Sequence, residues 1–291
     1  MSLVLCPRYR SRTTLSAEGR GPDMASARLG DKRRAIVRGI SDGFEDALAQ
    51  YFGTGPTDLP AARAQHDAYV KALKGAGVEV IELPADPAYP DCVFVEDQAV
   101  VIDGHVLLPT VGAPSRRGEQ PPIAEILTEA LQGRMICRMT GDARLDGGDV
   151  LRVRNRFFVG RSTRTNDAGI AELKELLDHL GHRLDVIPIP EHALHLTSIS
   201  SAPTDSDLLI PEGYLEPQMF PDMEDIMVHV IPGPEVYGCN TIGFADGSVL
   251  MATGYPSVQA TLEGIGLTPV PLTMDEIRAA DGSLTCLSIF F

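Results

Sequence analysis

Hydrophobic and polar positions recur along this chain in one plan. Three segments carry it most clearly: EDQAVVIDGHVLLPTVGAPSRR from Glu96, GDVLRVRNRFFVGRSTRTNDAG from Gly148, and CNTIGFADGSVLMATGYPS from Cys239. Each opens near a polar residue (Asp97, Asp149 or Asn240) and runs through an apolar strand, a polar turn, a second apolar strand and a loop. The turns fall at Asp103-Gly104, Asn155-Arg156 and Asp246-Gly247. Asp-Gly between alternating apolar runs is a strong hairpin signal. A helix is expected next. AELKELLDHL puts Leu173, Leu176, Leu177 and Leu180 on one face, the i, i+3, i+4, i+7 spacing of an amphipathic helix. IAEILTEAL over 123–131 behaves alike, and strands follow at VIPI (186–189) and PVPL (269–272).

Asn240 follows Asp149 by about two repeat lengths, so a degenerate copy is expected between them, near LHLTSISS and SDLLIPEG. The stretch RAIVRG, the helix AARAQHDAYVKALKGAG and the strand VEVIEL complete a fifth unit with the C-terminal SLTCLSIFF. Asp58 is that helix's candidate N-cap, and Gly75 and Gly77 end it. The pattern therefore predicts an α/β chain of about five ββαβ units around a centre, the last strand closing a ring beside the first unit. An ordinary α/β sandwich is the plainer alternative. Residues 1–33, polar and rich in Arg, Ser and Gly, read as a loosely ordered arm with Met24 as an alternative start; residues 34–291 read as one domain.

With 291 residues and 44% hydrophobic content, the chain can bury one large core or two ordinary ones. A net charge of −15 argues against nucleic acid as partner and suits a small cationic substrate. No apolar run is long enough to span a bilayer, and no signal-peptide pattern opens the chain; a cytoplasmic protein without membrane contact is expected. CxxC pairs, HExxH, GxGxxG and the P-loop pattern are all missing, so neither a metal nor a nucleotide cofactor is expected.

Candidate chemistry sits near the strand ends. Cys286 lies among Leu284, Leu287, Ile289 and Phe290. It reads either as a small buried hydrophobe or as a nucleophile carried by the last strand. Asp91, Glu96 and Asp97 flank the apolar DCVFVEDQAVV, as strand-entry acids or as a pocket for a cation. LDGGDV offers Asp146 and Asp149 around two glycines, and EHALHLTS offers His192 and His195. Arg116 and Arg164 occupy similar places in successive repeats. Guanidinium forks match carboxylates, acids hold a cationic head, and a Cys/His pair does nucleophilic catalysis. Together these suggest an arginine-like substrate attacked at its guanidinium carbon.

PDCVFVED, GAPSRRGE, LDGGD, FFVGRSTRTN, LHL and DGSLTCLS, spread over residues 34–291, resemble the dimethylarginine dimethylaminohydrolases, members of the guanidine-modifying superfamily. The resemblance implies a five-bladed β/α-propeller of pentein type with pseudo-fivefold symmetry. It implies hydrolysis of asymmetric dimethylarginine or monomethylarginine to citrulline and an amine, without a cofactor. It further implies Cys286 as nucleophile, His195 as general acid/base, and Asp146, which is Glu in some relatives, as the acid orienting that histidine. Asp97, helped by Glu96, would grip the guanidinium, and Asp91 the α-amino group. Arg116 and Arg164 would hold the α-carboxylate, Phe94 would wall the aliphatic stem, and Leu48 falls near the family's lid leucine. A homodimer is a candidate assembly. Departures are Thr241 within Asn-Thr-Ile and Leu287 after the candidate nucleophile, where relatives carry Cys. The rivals are an arginine deiminase or related arginine hydrolase, an amidinotransferase, a non-catalytic binder of arginine derivatives, and a plain structural protein.

Overall fold

The computed structural model describes residues 32–221 and 224–291. The expected arm, apart from Lys32 and Arg33, lies outside them. Among the described residues the chain forms five three-stranded sheets of one topology. In the first, β1 (Arg34–Arg38) runs parallel to β2 (Glu79–Leu83), joined through α1 (Leu59–Gly75). Asp58 caps α1 by accepting from the Ala61 N–H at 2.9 Å. The helix buries Ala62, Tyr69, Val70 and Leu73 on one face and ends in a turn with Gly77 at φ 84°.

The second sheet pairs β3 (Val100–Ile102) antiparallel with β4 (His105–Leu108); α2 (Pro121–Ala130) then leads to β5 (Ile136–Arg138), parallel to β4. The third repeats this with β6 (Val150–Val153), β7 (Arg156–Arg161), α3 (Asp167–Leu180) and β8 (Arg183–Pro188). Asn166 caps α3 through the Gly169 N–H, and Gly181 closes it at φ 81°, a left-handed conformation that costs glycine little. A single turn, α4 (Leu196–Ile199), opens the fourth sheet of β9 (Ser201–Thr204), β10 (Asp207–Pro211) and β11 (Met227–Ile231). The fifth holds β12 (Ile242–Gly243), β13 (Ser248–Ala252), α5 (Pro256–Gly264) and β14 (Thr268–Leu272). After α6 (Asp275–Ala279), β15 (Ile289–Phe290) returns to pair antiparallel with β1.

Three expectations are corrected. The third-sheet hairpin turns at Arg154-Asn155, with Arg154 at φ 56°, and Arg156 already belongs to β7. The fourth unit was expected to cross over through a helix, but among the described residues its crossover holds only a 3₁₀ turn, Pro217–Met219. Cys286 is not in the final strand; it sits in a 3₁₀ turn, Thr285–Leu287, just before the two-residue β15.

Five apolar clusters fill the spaces between successive sheets. Ile36 and Ile289 of the first sheet pack with Val106 and Leu108 of the second. Val100 and Leu107 then meet Phe157 and Val159, Leu151 and Phe158 meet Leu208 and Ile210, and Leu209 and Ile231 meet Val249 and Met251. Leu250 and Ala252 of the fifth sheet share a cluster with Ala35 and Val37 of the first. Among the described residues, no helix is long and apolar enough to cross a membrane.

Candidate active site

In each sheet the outer strand that pairs antiparallel is preceded by a short helical turn: Val95–Gln98, Gly147–Asp149, Leu196–Ile199, Gly233–Cys239 and Thr285–Leu287. Hydrogen bonds tie these turns together. Thr285 Oγ1 donates to Glu96 at 2.9 Å, and the Gly148 N–H donates to Asp97 Oδ1 at 3.1 Å. Thr197 Oγ1 reaches the Gly148 carbonyl at 2.7 Å. Asn240 Nδ2 reaches the Thr197 carbonyl at 2.7 Å and Thr285 Oγ1 at 2.9 Å. The chain of bonds visits all five units and returns to its start.

Beside these turns lies a small cavity of about 20 Å³. Leu48, Asp91, Phe94 and Asp97 line it, with Arg116, Arg164, His195 and Cys286. Eight of the residues singled out in the sequence thus share one wall. Asp146 and Glu96 lie behind it: Asp146 is fully buried against His195, and Glu96 is half-buried against Thr285. His192 is elsewhere, edge-on to Tyr214 at 4.5 Å.

His195 is buried, with Nε2 3.0 Å from Asp146 Oδ2. Its Nδ1 has no hydrogen-bond partner and stands 3.8 Å from Asp97 Oδ1. Asp146 Oδ1 accepts from the Gly112 N–H at 2.6 Å, which fixes the carboxylate. Burial works against a charged imidazole here, but Asp97, Asp149 and Asp146 overcome it and push its pKa up to about 9. Burial likewise opposes the charge on Asp97, yet His195, Arg116 and the Gly148 N–H hold it below the usual carboxylate range.

The Cys286 thiol is buried, with Ser283 Oγ 3.2 Å from its sulfur. Burial, then Glu96 and Asp97, pushes its pKa up, so the thiol is protonated while the cavity is empty. Glu96 is itself pushed up to about 8, by burial first and by Asp97 second. Burial also raises Asp91, although Arg116 and the Leu48 N–H at 3.0 Å both favour its charge.

The two arginines differ. Arg116 is buried and engages all three guanidinium nitrogens inside the protein: Nη1 on Asp97 at 2.6 Å, Nη2 on the Phe94 carbonyl and Glu119, and Nε on Glu119. Arg164 also lines the cavity, but its nearest acid is Asp146 at 3.9 Å. Asp97, Asp146 and His195 offer donor atoms within 4.8 Å of one another, a spacing that a metal ion could bridge. The Arg116 ion pair on Asp97 and the His195–Asp146 bond already balance those charges.

Further side chains complete the site; Asp149 was a sequence candidate, whereas Glu119 and Asp281 carried no clear sequence signal. Asp149, the partner of Asp146 in LDGGD, is fully buried; it accepts from the Ser162 and Thr165 hydroxyls and the Leu196 N–H. Burial pushes its pKa up to about 6, with His195 opposing. Glu119 anchors Arg116 and takes the Gln98 amide at 2.8 Å. Asp281 reaches the cavity wall from the segment before Cys286. The LDGGD glycines did carry a signal, since a Cβ on Gly147 would stand 2.0 Å from the Glu96 carbonyl oxygen and one on Gly148 2.7 Å from His195 Nδ1.

Known proteins resemble this chain in sequence and in fold. The family model described as "N,N dimethylarginine dimethylhydrolase, eukaryotic" matches residues 57–198. The N(G),N(G)-dimethylarginine dimethylaminohydrolase of Streptomyces coelicolor is 33% identical over 258 residues, covering 88% of this chain and 96% of the relative. The enzyme from Pseudomonas aeruginosa, solved as a cysteine-to-serine variant complexed with citrulline, superposes with a TM-score of 0.82 at 28% identity, over 89% of this chain and 99% of that one. A histidine-to-glycine dimethylarginine dimethylaminohydrolase, solved as its adduct with S-methyl-L-thiocitrulline, gives the same score, identity and coverage. With the Streptomyces enzyme matched along nearly its whole length, this chain belongs to the dimethylarginine dimethylaminohydrolase family.

Proposed function

We propose that the chain hydrolyses Nω-methylated arginines to citrulline and dimethylamine or methylamine, with Cys286 as nucleophile. The observation that carries this reading is that Cys286, the His195–Asp146 pair and the ionised Asp97 meet around one buried cavity. In the proposed reaction Asp97 and Glu96 hold the guanidinium, Asp91 the α-amino group and Arg164 the carboxylate, while Arg116, expected beside Arg164 on that carboxylate, is paired inside the protein and holds Asp97 in place. Phe94 and Leu48 enclose the stem. The arriving cation offsets the carboxylates that keep the thiol protonated, so the Cys286 proton passes to solvent and the thiolate forms. The sulfur bonds to the guanidinium carbon. His195, protonated at neutral pH, gives its proton to the methylated nitrogen, and that C–N bond breaks. An S-alkylthiouronium remains. Neutral His195 then takes one proton from a water whose oxygen attacks the same carbon, the C–S bond breaks, the leaving sulfur takes the oxygen's remaining proton to restore the Cys286 thiol, and citrulline leaves. The relatives complexed with citrulline and with S-methyl-L-thiocitrulline support this choice of substrate class.

The same reading makes residues 34–291 one catalytic domain, a five-bladed propeller with pseudo-fivefold symmetry. Its support is the cyclic order of the five apolar clusters and the closed chain of hydrogen bonds among the five turns. A homodimer is part of the proposal and is read out by sedimentation.

The test is citrulline release from asymmetric dimethylarginine, monomethylarginine and arginine in parallel, with Cys286→Ala as control. The methylated substrates are expected to turn over well above arginine, and the control not at all. Arginine preferred, with ammonia released, would move the chain to the arginine deiminases; full activity in the control would remove Cys286 from the mechanism.

A further inference from the structure

We propose that Asp281 is a latch: a positioning residue whose carboxylate holds the segment 48–53 closed over Cys286 and sets how often the cavity opens. The inference rests on the reading that this cavity is the reaction site. The cavity beside the Cys286 thiol is walled on one side by a stretch of chain outside any helix or strand, so movement of that wall changes access to the sulfur.

Segment 48–53 is that wall. Leu48 lines the cavity, and its N–H is donated to Asp91 Oδ1 at 3.0 Å. Tyr51 Oη meets Thr163 Oγ1 at 3.1 Å, beside Arg164. In the same segment, four consecutive backbone N–H groups converge on one carboxylate. Asp281 accepts from Gln50, from Tyr51 at 2.9 Å, from Phe52 at 2.7 Å and from Gly53 at 2.7 Å. Such a run of amides is a nest, a backbone concavity built for an anion, and bonds to an ionised acceptor are the strong ones.

Asp281 is well placed to act as the fixed half of this clasp. It is buried and held at φ 58°, a conformation that non-glycine residues keep only where the surroundings dictate it. Its neighbours are tied down: the Ala279 carbonyl accepts from the Gly55 N–H at 2.9 Å, and the Gly282 carbonyl accepts from Tyr237 Oη at 2.8 Å. Gly53 fits because it has no side chain; a Cβ there would stand 2.0 Å from the Ala279 carbonyl oxygen. Asp281 lies five residues before Cys286, so the short stretch that presents the thiol also holds the cover shut. Opening requires all four amides to leave the carboxylate together, which makes the movement a two-state one rather than a gradual drift.

The test compares the full-length protein with Asp281→Asn and Gly53→Ala. Asparagine keeps the shape and tolerates the left-handed backbone but removes the charge; the alanine pries the clasp from the other side and keeps the carboxylate. Two readouts are followed: amide hydrogen exchange at residues 50–53, and alkylation by iodoacetamide at Cys286, Cys92 and Cys239, resolved by peptide mass spectrometry across pH. Cys92 and Cys239 are free and buried, so they report global unfolding. The expected result is a tenfold or greater rise in exchange at 50–53 together with the same rise in the high-pH plateau of Cys286 alkylation, in both variants, with Cys92 and Cys239 unchanged. A rise confined to Asp281→Asn that only shifts the Cys286 pH profile would make Asp281 a charge acting on the thiol, and would overturn the latch. So would unchanged exchange at 50–53, or equal rises at all three thiols. None of these readouts uses a substrate, so they stand whether or not citrulline is formed.

Discussion

Nε2 of His195 stands 3.0 Å from Oδ2 of Asp146, and both residues are closed off from solvent. Asp146, with Asp97 and Asp149, keeps the imidazole protonated up to about pH 9 against the cost of burial. A general acid works in its protonated form, so kcat/KM, which reports the free enzyme, is expected to fall as pH rises through about 9. Asp146→Asn should move that limb to lower pH and cut kcat by about 10²–10⁴-fold, the usual range for general acid–base assistance. A pH–rate profile with its limb unmoved would separate Asp146 from the titration. Stability follows the same sign. The folded pKa lies above the ordinary 6.5, so the stabilisation is full below that value and is lost as pH rises through about 9. Thermal melts in that window should show it.

Asp149 is the second carboxylate acting on the imidazole. Its Oδ1 takes the Leu196 N–H at 3.1 Å, and its Oδ2 takes the hydroxyls of Ser162 and Thr165, each at 2.6 Å. In Asp149→Asn the carbonyl oxygen can keep the Leu196 bond and the amide can donate to Thr165 Oγ1, but Ser162 Oγ already accepts from the Arg164 and Thr165 N–H groups and cannot take a third bond. One buried hydrogen bond is then lost with the charge. The expected outcome is a folded protein with a Tm lowered by the loss of about 1 kcal/mol and a His195 limb moved below about 9. Titrating the imidazole by nuclear magnetic resonance gives the value directly; an unmoved His195 would make Asp149 purely structural.

Arg116 and Arg164 resemble each other in sequence and differ in kind. Arg116 neutralises Asp97 and Glu119 in a buried network, and removing one partner of such a network leaves an uncompensated charge, worth about 3–5 kcal/mol. Arg116→Ala should therefore lower stability by roughly that amount in urea melts. Arg164 has its nearest carboxylate at 3.9 Å. Arg164→Ala should cost under about 1 kcal/mol of stability and appear as a raised KM. Equal stability losses in the two variants would remove the distinction.

The difference between these arginines shows what the sequence made legible. The repeat and its strand ends located Asp91, Asp97, Asp146, His195 and Cys286, because each sits beside an apolar run whose register is set by the core. Arg116 was found too, but not its pairing, since Glu119 appears in the sequence only as one more acid in SRRGE. Asp281 was missed for a different reason. Its partners are backbone amides some 230 positions away (Gln50 and Tyr51, at separations of 231 and 230), and backbone amides carry no side-chain signature. Cys286 read as part of a strand because apolar residues flank it on both sides; a 3₁₀ turn at that place depends on Asn240 taking the Thr285 N–H at 3.2 Å, a contact between distant units. The crossover of the fourth unit lacked its helix because GYLEPQMFP interrupts helical periodicity with two prolines, which remove backbone donors.

Gly148 brings these strands of argument to one atom. Its N–H holds Asp97 Oδ1 at 3.1 Å and its carbonyl takes Thr197 Oγ1 at 2.7 Å, so the peptide units on either side of its Cα are fixed. A methyl group there would stand 2.7 Å from His195 Nδ1 and 3.0 Å from Asp97 Oδ1. The backbone cannot retreat without breaking both bonds, so the imidazole must swing instead. That swing moves the proposed proton donor relative to Cys286, and the added methyl presses on Asp97 as well. Overpacking of this kind costs about 1–3 kcal/mol, within reach of a folded protein. Catalysis should lose far more, on the order of 10²-fold in kcat, since a displacement of about 1 Å is enough for that. The variant Gly148→Ala should accordingly melt as a folded protein and bind citrulline, yet turn over slowly. Wild-type kcat in this variant would mean that the position of the imidazole is not what limits the reaction.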